Sequence, residues 1–171
     1  MDTRSQLRLA TAALQLRGLK NAAKWCAEQL SGLEETGAPQ PAPPVPAASE
    51  ALLRRSSADC SDRFLLAKTY FDLGEFQRAA FVLQAPSGRG GDGGAGAKPS
   101  SLRGLPGEEL FLKAYALYLA GEKAKEQEAA EMSDALDRPK AVNPNLRGLC
   151  ADLAALHADE ALDAFGLYIY G

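Results

Sequence analysis

Hydrophobic positions recur along this chain at the period of a helix, in groups separated by glycines. Over 65–83, LLAKTYFDLGEFQRAAFVL, the residues Phe76, Ala79, Ala80 and Leu83 fall at i, i+3, i+4 and i+7. Leu66, Ala67 and Tyr70 form a matching apolar set ahead of Gly74. The pattern predicts two short amphipathic helices hinged at Gly74, a residue able to take the left-handed conformation that ends a helix. Glu75 then opens the second helix, where a carboxylate suits the positive dipole end. Ala67 and Ala79 are small enough to let two antiparallel helices approach closely. A similar pair precedes it, 5–16 and 20–33, turning at Gly18. In that pair Leu7, Ala10, Thr11 and Leu14 share one face, and Ala23, Cys26, Ala27 and Leu30 share another. A third pair is predicted over 108–119 and 123–132 with Gly121 as the turn and Phe111, Ala114, Tyr115 and Tyr118 as its apolar face. A further helix covers 146–156, with Leu149, Leu153 and Leu156 inward, and a last segment covers 159–171. Asn143-Pro144 blocks extension of the 146–156 helix towards its N-terminus. Alternating Val, Ile and Thr are essentially absent, so the predicted fold class is all-α.

Two low-complexity stretches interrupt the helices. Residues 36–58 are rich in Pro, Ala and Ser around PQPAPPVP, and residues 85–107 are rich in Gly and Ser around GRGGDGGAGAKPSS. Neither can bury enough apolar surface to offset its ordering entropy. Both are expected to be mobile loops, the first partly polyproline-like. The chain thus divides into a first helical hairpin (1–35), a Pro/Ala/Ser-rich insertion (36–61), a second hairpin (62–84), a Gly/Ser-rich insertion (85–107), a third hairpin (108–133) and further helices (145–171).

The hairpins align on their turn glycines. Ala23 and Ala79 stand at the same distance after Gly18 and Gly74, and Ala67 and Ala114 at the same distance before Gly74 and Gly121. Leu66-Ala67-x2-Tyr70, then Gly74, Phe76, Ala79 and Leu83, has the spacing of a tetratricopeptide (TPR) hairpin. The regular TPR period is about 34 residues; here it is stretched by the two insertions, as expected of exposed loops. The expected architecture is an α-solenoid packed through Gly18, Ala23, Leu66, Ala67, Tyr70, Gly74, Phe76, Ala79, Leu83, Ala114, Gly121 and Gly171. Glu126 takes the place in the third unit that Ala79 has in the second, so that helix should pack less closely or be displaced. Leu167-x2-Tyr170-Gly171 reads as the opening of another repeat. A lone amphipathic helix leaves its apolar face bare, so the chain is expected to be the N-terminal part of a longer repeat protein.

Composition narrows the functions. The 171 residues carry 19 basic and 22 acidic side chains, net −3. That gives no basic stripe for nucleic acid and no polybasic membrane patch. No run approaches the roughly 18–20 apolar residues of a membrane span, and MDTRSQLRLA lacks the apolar core of a secretory signal. Cys26, Cys60 and Cys150 fit neither metal spacing nor a disulfide framework, which points to a reducing compartment. Cys26 and Cys150 lie in helical patterns and read as small core residues.

No catalytic constellation emerges. Gly88-x-Gly90-x2-Gly93 matches a dinucleotide fingerprint by letter, but it follows Gln84-Ala85-Pro86 rather than a strand. The stretch 91–98 approaches a phosphate loop, but Ala97 intervenes before Lys98 and Pro99 replaces the hydroxyl residue. His157 is the sole histidine and suits the negative end of the helix it closes. Glu34-Glu35 and Glu108-Glu109 read as solvated charge, and EKAKEQEAAE as a charged helix face. No catalytic residue, cofactor or metal is expected. Trp25 has two readings. It caps the local core against Leu14 or Leu30, or it anchors a protein–protein contact, where Trp is favoured. Its offset of about 100° from the Ala23-Cys26-Ala27-Leu30 face favours a second contact surface.

Four stretches, in order, resemble one family: LKNAAKWCAEQLSGL (19–33), LLAKTYFDLGEFQRAAFVL (65–83), LFLKAYALYLAGEKAKE (110–126) and DAFGLYIYG (163–171). They are similar to the N-terminal region of the eighth subunits of the anaphase-promoting complex (cyclosome), with KWCAEQL and YALYLAGEK more specific than a generic TPR. The resemblance implies a non-catalytic TPR scaffold in a ubiquitin ligase that controls the cell cycle and mitosis. It implies homodimerisation through the N-terminal repeats and assembly with the complex's other TPR subunits, in nucleus and cytoplasm, without nucleic acid or membrane. Trp25 and Leu30 are then candidates for the dimer surface. The alternative is a generic TPR adaptor for a peptide or partner protein. A carboxylate clamp of Lys and Asn would fall at Phe64 and Lys68 in the second unit and at Arg8 and Ala12 in the first, and that pattern fails.

Overall fold

A computed structural model describes residues 3–33, 61–84, 102–132 and 141–171. The described residues hold seven helices and no strand, so the protein is all-α with TPR-like helical repeats. They fall into two compact units, Met1–Glu75 and Phe76–Gly171. The residues 36–58 and most of 85–107, expected as mobile loops, lie outside the described residues, as do Cys60 and the glycine fingerprint 88–93.

The first unit contains α1 (Thr3–Leu16), α2 (Lys20–Gly32) and α3 (Asp62–Asp72), with α2 packed against both others. Helices α1 and α3 end in the same way. Gly18 and Gly74 take φ of +73° and +75°. Leu19 N donates to Leu14 O and Glu75 N to Tyr70 O, both at 2.9 Å. This wide backbone bond beyond a left-handed glycine is the Schellman stop, which satisfies carbonyls orphaned at a helix end. Ser61 starts α3 by accepting the Phe64 amide on its hydroxyl at 3.0 Å.

The predicted face of α2 is the buried one: Ala23, Ala27 and Leu30 are fully enclosed and Cys26 nearly so. Burial pushes the Cys26 thiol up from its ordinary value. Helix α3 contributes Leu65, Leu66, Ala67 and Tyr70, and α1 contributes Ala12 and Thr11. The buried hydroxyls of Thr11 and Thr69 donate back to Leu7 O and Leu66 O. Polar ties close the edges. Asp62 accepts a hydrogen bond from Arg8 Nε at 2.6 Å and forms an ion pair with Arg4, whose Nε is 2.8 Å away. Lys20 and Lys24, early in α2, reach Asp72 O and Glu75 Oε1 near the end of α3, so α2 and α3 run antiparallel. Tyr70 Oη donates to Glu28 Oε1 at 2.8 Å.

The second unit contains α4 (Phe76–Val82), α5 (Gly107–Glu131), α6 (Leu146–Ala158) and α7 (Ala164–Tyr170), with α5 touching each of the others. Ala79, Ala80 and Leu83 are buried around α4. Leu110 and Ala114 of α5 meet Leu149, Leu153 and Leu156 of α6, the inward face expected from their spacing. Leu102 completes this core. It belongs to the stretch expected to be a mobile loop, and the structure corrects that expectation for its final residues: Leu102 is wholly buried and Arg103 pairs with Asp159 at 2.6 Å.

A second correction concerns Gly121. It is not a turn, and the third unit is not a hairpin: α5 runs unbroken through it to Glu131. Gly121 stays right-handed, unlike Gly18 and Gly74. Its flanks, Ala120 and Glu122-Lys123-Ala124, are strong helix formers. The side chain of Asn143 occupies the space a Cβ would need. The glycine therefore permits close approach instead of reversal, and Glu126 lies on an exposed extension of the same helix.

Candidate interaction surface

The aromatic residues of α5 rise from its core face towards solvent. Ala114 is buried, whereas Tyr115 and Tyr118 are 39% and 38% exposed. The expectation that Phe111, Ala114, Tyr115 and Tyr118 form one apolar core face is thus met only at its base. Tyr115 and Tyr118 lie nearly parallel, ring centroids 6.4 Å apart. Phe111 contacts Tyr115 at 6.0 Å, Phe165 at 6.3 Å and Tyr168 at 6.2 Å, which carries the aromatic strip from α5 onto α7. Such tilted pairs gain quadrupole energy beyond area burial.

Together with Leu146 and Cys150 of α6, Phe111, Tyr115, Tyr118 and Tyr168 line a groove of about 530 Å³ without a charged side chain. Tyr168 stands 80% exposed at its rim. Cys150 is exposed there, not a core residue as its spacing suggested. Phe165 and Tyr168 were not singled out from the sequence. Their signal was present in FGLYIY, since a short helix with aromatics on several faces cannot bury all of them.

Two asparagines fix the far end of the groove. Asn143 Nδ2 donates to Tyr118 O at 3.0 Å and to Glu122 Oε1 at 2.9 Å. Asn145 Nδ2 donates to Leu117 O at 2.8 Å, and its backbone N donates to Asn143 Oδ1 at 2.9 Å. The Asn143 amide holds the Glu122 carboxyl below its ordinary range, partly offset by desolvation, with Lys125 adding smaller lowering contributions. His157, in the last turn of α6, stacks on Tyr170 with centroids 4.7 Å apart.

In the first unit Trp25 projects from α2 at 60% exposure. Leu30, the other candidate for a dimer surface, is fully buried and can offer no side chain to a partner. The reason is geometric: Leu30 shares the Ala23-Cys26-Ala27 stripe, and that stripe faces the unit's interior. Gly171 follows α7, and its amide donates to Leu167 O at 3.1 Å. Of the clamp positions, Arg8 is committed to Asp62 and Lys68 to Asp72 at 3.0 Å.

Among the described residues no three His, Cys, Asp or Glu side chains converge as metal ligands, and no helix is long and apolar enough to cross a membrane. The groove is aromatic and lined without charge, suited to covering by another macromolecular surface.

Comparison with known proteins identifies the family to which these helical repeats belong. The family described as anaphase promoting complex subunit 8 / Cdc23 matches residues 2–171. Anaphase-promoting complex subunit 8 of Arabidopsis thaliana is 33% identical over 98% of this chain and 31% of its own length. The cell division cycle protein 23 homologs of Mus musculus and Homo sapiens are each 32% identical over 99% of this chain and 24% of their own length. The chain therefore spans 24–31% of the length of these relatives, and it belongs to the anaphase-promoting complex subunit 8 / Cdc23 family.

Proposed function

We propose that this chain is the N-terminal, non-catalytic scaffold segment of an anaphase-promoting complex subunit. In this reading it homodimerises through its TPR-like helices and assembles with the complex's other TPR subunits. It thereby supports a ubiquitin ligase that controls the cell cycle and mitosis, in nucleus and cytoplasm. The observation that carries the proposal is the family match across nearly the whole chain, on helices that pack as repeats. The exposed Trp25 and the aromatic groove give it surfaces on which partners can bury area, and aromatic anchors of this kind dominate binding energy at interfaces.

Two measurements test it separately. Light scattering on the purified chain at micromolar concentration should give twice its 18.1 kDa mass. A monomer would overturn homodimerisation. Co-expression with the complex's other TPR subunits should recover them with the tagged chain. Failure there, with the dimer intact, would remove the assembly role alone.

A further inference from the structure

Helix α5 changes character at Gly121. Its buried residues run from Glu109 to Gly121, and no residue from Glu122 to Glu131 is buried. The helix is enclosed up to the glycine, and beyond it Glu122, Ala124, Lys125 and Ala129 are half-buried and the rest exposed. Glycine is the weakest non-proline residue in a helix interior, about five-fold less favourable than alanine.

The asparagine bonds fall on this junction. Leu117 O and Tyr118 O are the carbonyls that helical geometry pairs with the amides of Gly121 and Glu122. Asn145 and Asn143 donate to these same two oxygens. Asn143 also holds the Glu122 side chain beyond the junction, and Asn145 N braces Asn143 Oδ1. One side chain thus grips α5 on both sides of its weakest residue. A Cβ at Gly121 would collide with Asn143, so glycine and grip require each other.

We propose that Gly121 is a hinge in α5, that Asn143 braced by Asn145 is the latch holding it straight, and that 122–131 is an arm whose direction the latch sets. The segment EKAKEQEAAE is then a charged, partly exposed helix that a partner can reorient by displacing Asn143. Local opening of this kind is expected where a helix lacks buried contacts.

Amide hydrogen exchange of the full chain at pH 7, resolved by segment, tests the hinge. Asn143→Ala should speed exchange over 121–131 by about ten-fold, for loss of two hydrogen bonds, and leave 109–116 unchanged. Asn143→Asp keeps the shape, removes both donors and should give the same local rise. Adding Gly121→Ala to Asn143→Ala removes both the collision and the hinge, and should slow exchange of the arm about five-fold relative to Asn143→Ala alone. The proposal fails if neither Asn143 variant speeds exchange beyond Gly121. It fails if the rise is uniform along α5, which marks Asn143 as general core support. It fails also if the double variant exchanges no more slowly than Asn143→Ala.

Discussion

The Asp163 carboxylate lies against Gly107 so closely that a Cβ there would fall well inside its van der Waals radius. The same carboxylate caps α7, accepting the Gly166 amide on Oδ1 at 2.9 Å. One acidic side chain therefore seats α7 on the first residue of α5. Both helix starts are positive dipole ends, which favours the charge.

Gly107→Ala should therefore break a cap without touching it. The added methyl displaces Asp163, and loss of an N-cap costs about 1 kcal/mol. Asp163→Ala should cost a similar amount, and the double variant less than the sum of the two, because both remove one interaction. Asp163→Asn keeps a capping oxygen and should stay within about 0.5 kcal/mol of the parent. Urea titrations of the four chains measure these differences.

The small stripe of α2 sets a second prediction. Ala23 is fully buried where α2 packs between α1 and α3. Ala23→Leu forces extra methylenes into a closed space, and overpacking of that kind costs roughly 1–3 kcal/mol. Gln29→Ala, on the exposed side of the same helix, should change stability by less than about 0.5 kcal/mol. Thermal melts of the two variants separate packing from helix propensity.

These residues also show what the sequence made legible. The turns at Gly18 and Gly74 and the inward faces of α2 and α6 follow from period and glycine placement, because local rules govern them. Gly121 misled because a glycine at a turn and a glycine under a neighbouring side chain look the same in sequence. The partner that distinguishes them, Asn143, lies beyond the end of α5, and no local pattern links the two. Leu30 shows the opposite case: it shares the inward stripe of Ala23, Cys26 and Ala27, and a residue on that stripe has no side chain left for a partner surface. The aromatic groove was half visible. The spacing put Phe111, Tyr115 and Tyr118 on one side of α5, but only the short α7 packed beside it decides that this side stays open.

The Asn143–Glu122 bond predicts a pH effect whose sign is fixed. The Glu122 carboxyl is lowered in the folded state, chiefly by the Asn143 amide, from an ordinary value of 4.5. A lowered folded value means that the ionised carboxylate favours folding. Its contribution is complete above pH 4.5 and is lost as pH falls through the lowered folded value. Protection of the α5 segment beyond Gly121 should therefore weaken progressively below pH 4.5. Glu122→Gln cannot ionise and should remove this part of the pH dependence. If the parent and Glu122→Gln profiles coincide, the bond contributes nothing that titrates.

Trp25 offers the most direct reading of the dimer proposal, since it is the single tryptophan and 60% exposed in the isolated chain. An indole in water emits at long wavelength, and burial in an apolar interface shifts emission to the blue. If Trp25 anchors the dimer, emission should shift blue as concentration rises through the dimer's Kd, in step with the doubling of mass. Trp25→Ala should then weaken dimerisation by about 2 kcal/mol or more, roughly thirty-fold in Kd, the scale of an aromatic hot spot. Folding should be little affected, because the side chain contributes mainly solvent-exposed area to its own unit. A dimer that forms with unchanged emission, or that survives Trp25→Ala at full affinity, would move the interface to another face. Since Leu30 is sealed inside the first unit, the aromatic groove lined by Phe111, Tyr115 and Tyr168 would be the next surface to truncate.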